Sequence, residues 1–124
     1  TFNTYTMNSK QNVTVFGSYT ISKSTLDKVH AVMSEDVDDM VYLFKVLSDP
    51  IRLKILKALE IQDLCVCVLV EITDYKHSAL SYHLKLLKDE NLVGSRRDKS
   101  FQIYYLTNFG YELLKSIDKE FRDV

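Results

Sequence analysis

A mostly α-helical (α+β) domain, in which a helix-turn-helix is followed by a two-stranded β-hairpin wing, is the fold class this sequence predicts. Three observations predict it. Two apolar-periodic runs, a short one and a longer one, follow each other across Asp74-Tyr75-Lys76. Two alternating runs, Val93 to Arg97 and Phe101 to Leu106, come next and flank the polar turn Asp98-Lys99-Ser100. Helical stripes precede and follow this block, which gives the winged-helix order of helices, helix-turn-helix, hairpin and helix.

Residues 1–22 are rich in Thr, Ser, Asn and Tyr and read as an N-terminal arm, either flexible or a short hairpin. Val13-Thr14-Val15-Phe16 alternates as a strand does, with Asn8 to Asn12 as a turn before it. Residues 23–124 read as the winged-helix and dimerisation domain. Ser22 or Ser24 caps a helix over about 25–33, on which Leu26, Val29, Val32 and Met33 recur at helical spacing. Asp36, Asp38 and Asp39 favour the positive end of a second helix, whose apolar stripe is Met40, Val41, Phe44 and Leu47. Asp49 caps a third, and Pro50 takes its first position, where a missing N–H does no harm. There Ile51, Leu53, Ile55, Leu56 and Leu59 face inward, with Arg52, Lys54 and Lys57 mostly outward.

Leu64-Cys65-Val66 is briefly extended, and a short helix runs over about 67–73. The next helix, over about 77–90, repeats Leu80, Leu84 and Leu87 at i, i+4, i+7. His77, Ser78, Ser81, Tyr82 and Lys85 then share its opposite face. After the hairpin, Asn108 caps a last helix with Phe109, Leu113, Leu114, Ile117 and Phe121 on one side. The terminal stripes have no evident partner within the chain, and a homodimer that packs the two ends together would bury them.

Net charge is −1 and the pI is near 6.2, so the balance of charge does not announce a nucleic-acid protein. The distribution does more. From Lys76 to Lys99 six basic residues face three acidic ones, whereas from Lys23 to Asp49 three basic residues face six acidic. One end can be presented to phosphate. No apolar run reaches the roughly 18–20 residues of a membrane span, and the start has no basic-then-apolar signal pattern. A cytoplasmic protein is expected. An enzyme is not: there is no nucleophile–base constellation, no phosphate-binding glycine loop, and only three glycines. Cys65 and Cys67 are the two cysteines. A disulfide across one residue is strained and closes almost no loop, so the pair is read as thiols rather than as a staple. Buried small hydrophobes are the plainer alternative.

Three blocks make the pattern specific. They are Leu47-Ser48-Asp49-Pro50-Ile51-Arg52-Leu53-Lys54-Ile55-Leu56, then Asp63-Leu64-Cys65-Val66-Cys67, then Ser78-Ala79-Leu80-Ser81-Tyr82-His83-Leu84-Lys85-Leu86-Leu87. Over about residues 37–107 the chain resembles the ArsR/SmtB family, dimeric winged-helix repressors that leave their operators on binding metal or metalloid ions. The resemblance implies a homodimer on palindromic double-stranded DNA and no membrane. It implies that Ser78, Ser81 and Tyr82 read the major groove, with Lys76 and His77 adding donors at the helix start. Lys85 and Lys88 would meet phosphates, while Arg96, Arg97 and Lys99 let the wing grip the backbone or a minor groove. The plain reading of each lysine alone is a solvated charge.

The same resemblance makes Cys65 and Cys67 ligands of a regulatory ion: As(III) first, then Cd(II), Pb(II) or Zn(II). A helix N-terminus lowers thiol pKa, and thiolates suit soft ions. Departures from the family pattern limit the ligand set. Asp63 replaces the usual Glu, and Val68 and Val70 stand where members carry an acidic residue or a third cysteine. The arm has no cysteine and the last helix no histidine. Further ligands would come from His30 or Met7 of a partner subunit, an external thiol or water. His77 is read as a DNA contact, His83 as a hydrogen-bonded structural residue, and His30 as a solvated or interface residue. Two other readings stand beside the sensor: a winged-helix regulator with a redox response or no small-ligand response, and a protein-interaction module without DNA binding.

Overall fold

The computed structural model describes residues 5–8 and 12–121. The chain divides into two compact units, 1–38 and 39–124. The sequence reading placed the boundary after residue 22; in the structure the first helix groups with the strands before it.

In the first unit β1 (Tyr5–Asn8), β2 (Val13–Phe16) and β3 (Tyr19–Ser22) form an antiparallel meander in that order. The expected strand over Val13–Phe16 is there, and β3 was not foreseen. Residues 9–11 of the expected turn lie outside the described residues, as does the side chain of Met7. Gly17, at φ +61°, supplies the left-handed residue of the tight turn that pairs Phe16 with Tyr19. The first helix, α1 (Lys23–Met33), is capped by Ser22, whose hydroxyl accepts from the Thr25 N–H at 3.2 Å. Its Val29, Val32 and Met33 are exposed.

The second unit holds α2 (Asp38–Leu47), α3 (Pro50–Ile61), β4 (Leu64–Cys65), α4 (Val66–Thr73), α5 (His77–Asp89), β5 (Val93–Asp98), β6 (Phe101–Leu106) and α6 (Asn108–Phe121). The wing is the expected β5–β6 hairpin, and β4 adds to its other edge, giving the order β4-β6-β5. Ile55, Leu56 and Leu59 of α3, Leu69 of α4 and the Leu80, Leu84, Leu87 stripe of α5 meet Leu92, Val93 and Leu114 in one core. This core fixes α5 by its apolar face and leaves the polar face outward.

Three expectations about side chains change. On α2 the residues that go inside are Val46 and Leu47, while Met40, Val41 and Phe44 stay exposed. The cap of α6 is Thr107, not Asn108: its hydroxyl accepts from the Gly110 N–H at 2.9 Å and lies 2.7 Å from the Asn91 carbonyl. Arg52 does not point outward. Its guanidinium folds back onto the α2–α3 corner and the α5 helix.

Candidate nucleic-acid interface and cysteine pair

Asp74, at φ +59°, ends α4 in a left-handed conformation, and the Thr73 hydroxyl accepts from the Tyr75 N–H at 3.3 Å. The turn delivers Lys76 to the cap position of α5 with no side-chain cap bond, which leaves the first N–H groups of α5 open to an acceptor from outside. His77, Ser78, Ser81, Tyr82 and Lys85 are exposed along the helix. Ser81 Oγ lies 3.3 Å from His77 Nδ1. Lys85 bonds Asp89 at 2.8 Å, and that hydrogen bond and charge hold its ammonium above the ordinary lysine range.

The wing carries its own charges. Arg96 bonds Asp63 at 2.9 Å, and its guanidinium carbon stands 5.7 Å from the centre of the Tyr105 ring. Arg97 reaches the Ser100 carbonyl at 3.4 Å. Lys99 takes the left-handed position of the tip, at φ +57°. Lys88 Nζ donates to Ser95 Oγ at 2.7 Å and so ties α5 to β5. Lys76, His77, Ser78, Ser81, Tyr82, Lys85, Lys88, Arg96, Arg97 and Lys99 are all exposed.

Cys65 is the N-cap of α4, extended at φ −65°, ψ 144°. Its sulfur accepts from the Cys67 N–H at 3.2 Å. The step from strand to helix turns both sulfurs to one point, and the two are joined in a disulfide, with Cα atoms 5.2 Å apart. The expected free thiols are therefore not the state seen here. Residues two apart diverge within a regular helix, but across a cap they do not. Cys65 also pairs with Ile103 of β6, so the pair sits where the wing sheet meets the helix-turn-helix.

The family model described as "Bacterial regulatory protein, arsR family" matches residues 49–95, from the cap of α3 into β5. The cadmium resistance transcriptional regulatory protein CadC of Listeria innocua is 34% identical over 78% of this chain and 86% of its own length. This chain belongs to the arsR family. A second relative, the arsenical resistance operon repressor of Staphylococcus xylosus, is 41% identical over 53% of the chain and 64% of its own length. Among solved structures, the homodimeric winged helix-turn-helix DNA-binding domain from Mycobacterium bovis superposes with a TM-score of 0.63 at 25% identity, covering 68% of this chain and 79% of that one. The arsR-family chain is thus a DNA-binding winged-helix regulator of transcription.

For this arsR-family chain the donor set at the cysteines matters. Reduced, the pair offers two thiolates at a helix entrance, which suits a soft ion. Among the described residues no group of three or more His, Cys, Asp or Glu side chains is placed to hold a metal. The pair by itself offers two sulfur donors, fewer than a trigonal or tetrahedral ion takes.

Sequence reasoning missed Asp63 as the partner of Arg96, and missed Arg52. The Arg52 guanidinium donates to the Val46 carbonyl at 2.6 Å and to His83 Nδ1 at 3.0 Å. Arginine has no acceptor, so the ring must accept at Nδ1 and carry its proton on Nε2. The expected structural role of His83 has this bond as its content. Tyr75 and Tyr82 flank the ring at 6.1 and 5.6 Å between centroids. The spacing Asp49–Arg52 at i, i+3 was the one available signal.

Proposed function

We propose that this protein is a dimeric repressor that holds a palindromic operator and leaves it when a thiophilic ion binds Cys65 and Cys67, arsenite first and cadmium, lead or zinc second. The observation that carries this reading is the position of the pair, at the junction of β4 and α4, one turn-linked helix away from α5. An ion that repositions the entrance of α4 acts on the element packed directly against the recognition helix.

In this reading Ser78, Ser81 and Tyr82 meet base edges and Lys76, His77 and Lys85 meet phosphate or the groove edge. Arg96, Arg97 and Lys99 grip the backbone. Arg96 exchanges Asp63 for a phosphate; both side chains of that pair are about half exposed, and such surface pairs are worth about 0–1 kcal/mol. Two copies related by a two-fold axis place two α5 helices about one DNA turn apart. The relatives named for arsenical and cadmium resistance support the choice of ions.

The test is an electrophoretic shift on the DNA upstream of the protein's own gene. Arsenite, cadmium, zinc or peroxide is added to the dithiol-reduced wild type and to Cys65→Ser. Release of the wild type by an ion, with Cys65→Ser retained, is expected. No release by any ion removes the sensor role, and no shift at all favours a protein-interaction module.

A further inference from the structure

We propose that oxidation of Cys65 and Cys67 to a disulfide holds this regulator in a DNA-binding state that ignores the inducing ion. The inference rests on the reading that an ion acts at this pair, and adds a second input to it.

Four observations support it. The Cα separation of 5.2 Å lies inside the range that a disulfide spans without backbone movement. The Cys67 N–H donates to the Cys65 sulfur at 3.2 Å, which holds that sulfur on the Cys67 side of the helix entrance. Cys67 is exposed and Cys65 half-buried, so a small oxidant meets Cys67 first. With the sulfurs joined, β4 is paired to β6 through Leu64–Tyr104 and Cys65–Ile103, α4 is helical, and Leu69 and Leu80 are fully buried.

Ion binding asks for a different geometry. Two thiolates at about 2.3 Å from one tetrahedral ion stand about 3.7 Å apart, against about 2.05 Å in a disulfide. An ion and the disulfide therefore ask for different sulfur spacings at the β4–α4 junction. The disulfide also consumes both ligands. The two effects point the same way.

The chemistry balances with a peroxide as oxidant. The Cys67 thiolate attacks one peroxide oxygen, the O–O bond breaks, hydroxide leaves, and Cys67 becomes a sulfenic acid. The Cys65 sulfur then attacks the Cys67 sulfur, the S–O bond breaks, and the Cys65 proton leaves with hydroxide as water. The dithiol loses two electrons and two protons, and the peroxide becomes two waters. A dithiol such as dithiothreitol reverses the step by exchange.

The experiment uses the full chain, treated with hydrogen peroxide or with dithiothreitol, and reads three quantities: intact mass, affinity for the upstream DNA, and thiolate-to-ion absorption in the near ultraviolet on adding cadmium. The oxidised chain is expected to be lighter by two hydrogens and to bind DNA within about threefold of the reduced chain, a difference under 1 kcal/mol. It should show no cadmium absorption and stay on DNA when cadmium or arsenite is added. Dithiothreitol should restore both responses. Cys67→Ser should lose the mass change and the absorption together. An unchanged mass, a tenfold or greater loss of DNA affinity on oxidation, or release of the oxidised chain by either ion would overturn the proposal. Reduced protein that binds cadmium yet stays on DNA removes the release reading alone, and loss of absorption on oxidation then still decides this one. Reduced protein with no cadmium absorption removes both.

Discussion

The guanidinium of Arg52 joins the C-terminal backbone of α2 to a ring on α5. It donates to the carbonyl of Val46, lies 3.4 Å from that of Lys45, and holds His83 on α5. Its side chain is only 12% exposed, so these bonds are sheltered from water. Bonds made by a charged donor are worth about 1.5–3 kcal/mol each, and those left unpaired cost more than those never made. Arg52→Ala should therefore lower unfolding free energy by about 2–4 kcal/mol in urea titration, and Arg52→Lys should not recover it, because an ammonium cannot span the same fork. His83→Ala should cost less, and the double variant should be less than additive. Strict additivity would mean the pair is not coupled. Asp49 beside it gives a pH test. Desolvation, the largest influence, pushes its carboxyl up. The Arg52 N–H, the Arg52 charge and the Ile51 N–H together outweigh that and leave it below its ordinary 3.8. A depressed carboxyl stabilises the fold above the unfolded value and loses that contribution as pH falls through the folded one. Asp49→Asn keeps the cap, so its stability should fall less steeply than wild type from about pH 4 downward. Parallel acid limbs would count against the Asp49 contribution. The composition of α3 hid all of this. Arg52, Lys54 and Lys57 are interchangeable as outward cations until the fold shows which one the α2–α3 corner captures.

Among the elements, α5 and α6 were legible for a simple reason: a helix packed on one side writes its period into the sequence, and Leu80, Leu84, Leu87 and Leu114 are where that period put them. Short strands write much less. β3 has four residues and β4 two, and a two-residue strand is defined by its partner β6 rather than by its own composition. On α2 the stripe was real but its direction was not readable, since periodicity gives a face and not what covers it. The cap of α6 was one residue off because Thr107 and Asn108 are both good caps, and only the Asn91 carbonyl beside the Thr107 hydroxyl separates them. The same joint yields a prediction. Gly110 lies buried in the first turn of α6, and a Cβ there would overlap the Leu92 carbonyl oxygen and stand 3.0 Å from Leu106 Cδ1. Ala is normally better than Gly in a helix by about 1 kcal/mol. The obstacle is backbone, which cannot rotate away, so Gly110→Ala should instead destabilise by about 1–3 kcal/mol in thermal or urea unfolding. A stabilised variant would show that α6 slides off the Leu92 turn. Gly94 differs, because its Cβ would meet the end of the Tyr105 side chain. The tyrosine can move, and Gly94→Ala should disturb the Arg96 stack more than the fold.

At the scale of the whole molecule, the proposed dimer divides affinity for DNA into an ionic part and a two-site part. Each phosphate contact contributes about 0.9 to the slope of log affinity against log salt. Arg96→Ala with Arg97→Ala should weaken binding to operator and non-operator DNA alike and flatten that slope by up to about 2. An unchanged slope would take the wing off the DNA. The two-site part depends on a second copy. Val32 and Met33 on α1 and Phe121 on α6 are exposed large apolar side chains on the two terminal helices. A stable dimer buries about 800 Å² per partner, and exposed stripes on helices at both ends are the surface available for it. If the copies join through these stripes, charge placed on them is desolvated without a partner and opposes association. Val32→Glu with Met33→Glu, or Phe121→Glu, should then shift the sedimenting species from dimer toward monomer at micromolar concentration. Each should leave the helical circular dichroism of the chain in place, since these side chains are exposed in the single chain. Operator affinity should fall by about 10²–10⁴, the loss expected when two linked sites become two separate ones. The Arg96/Arg97 variant should stay dimeric, so the two losses are separable: one follows salt, the other follows protein concentration. A wild-type chain that sediments as a monomer while binding a palindrome with unit stoichiometry would end the dimer proposal.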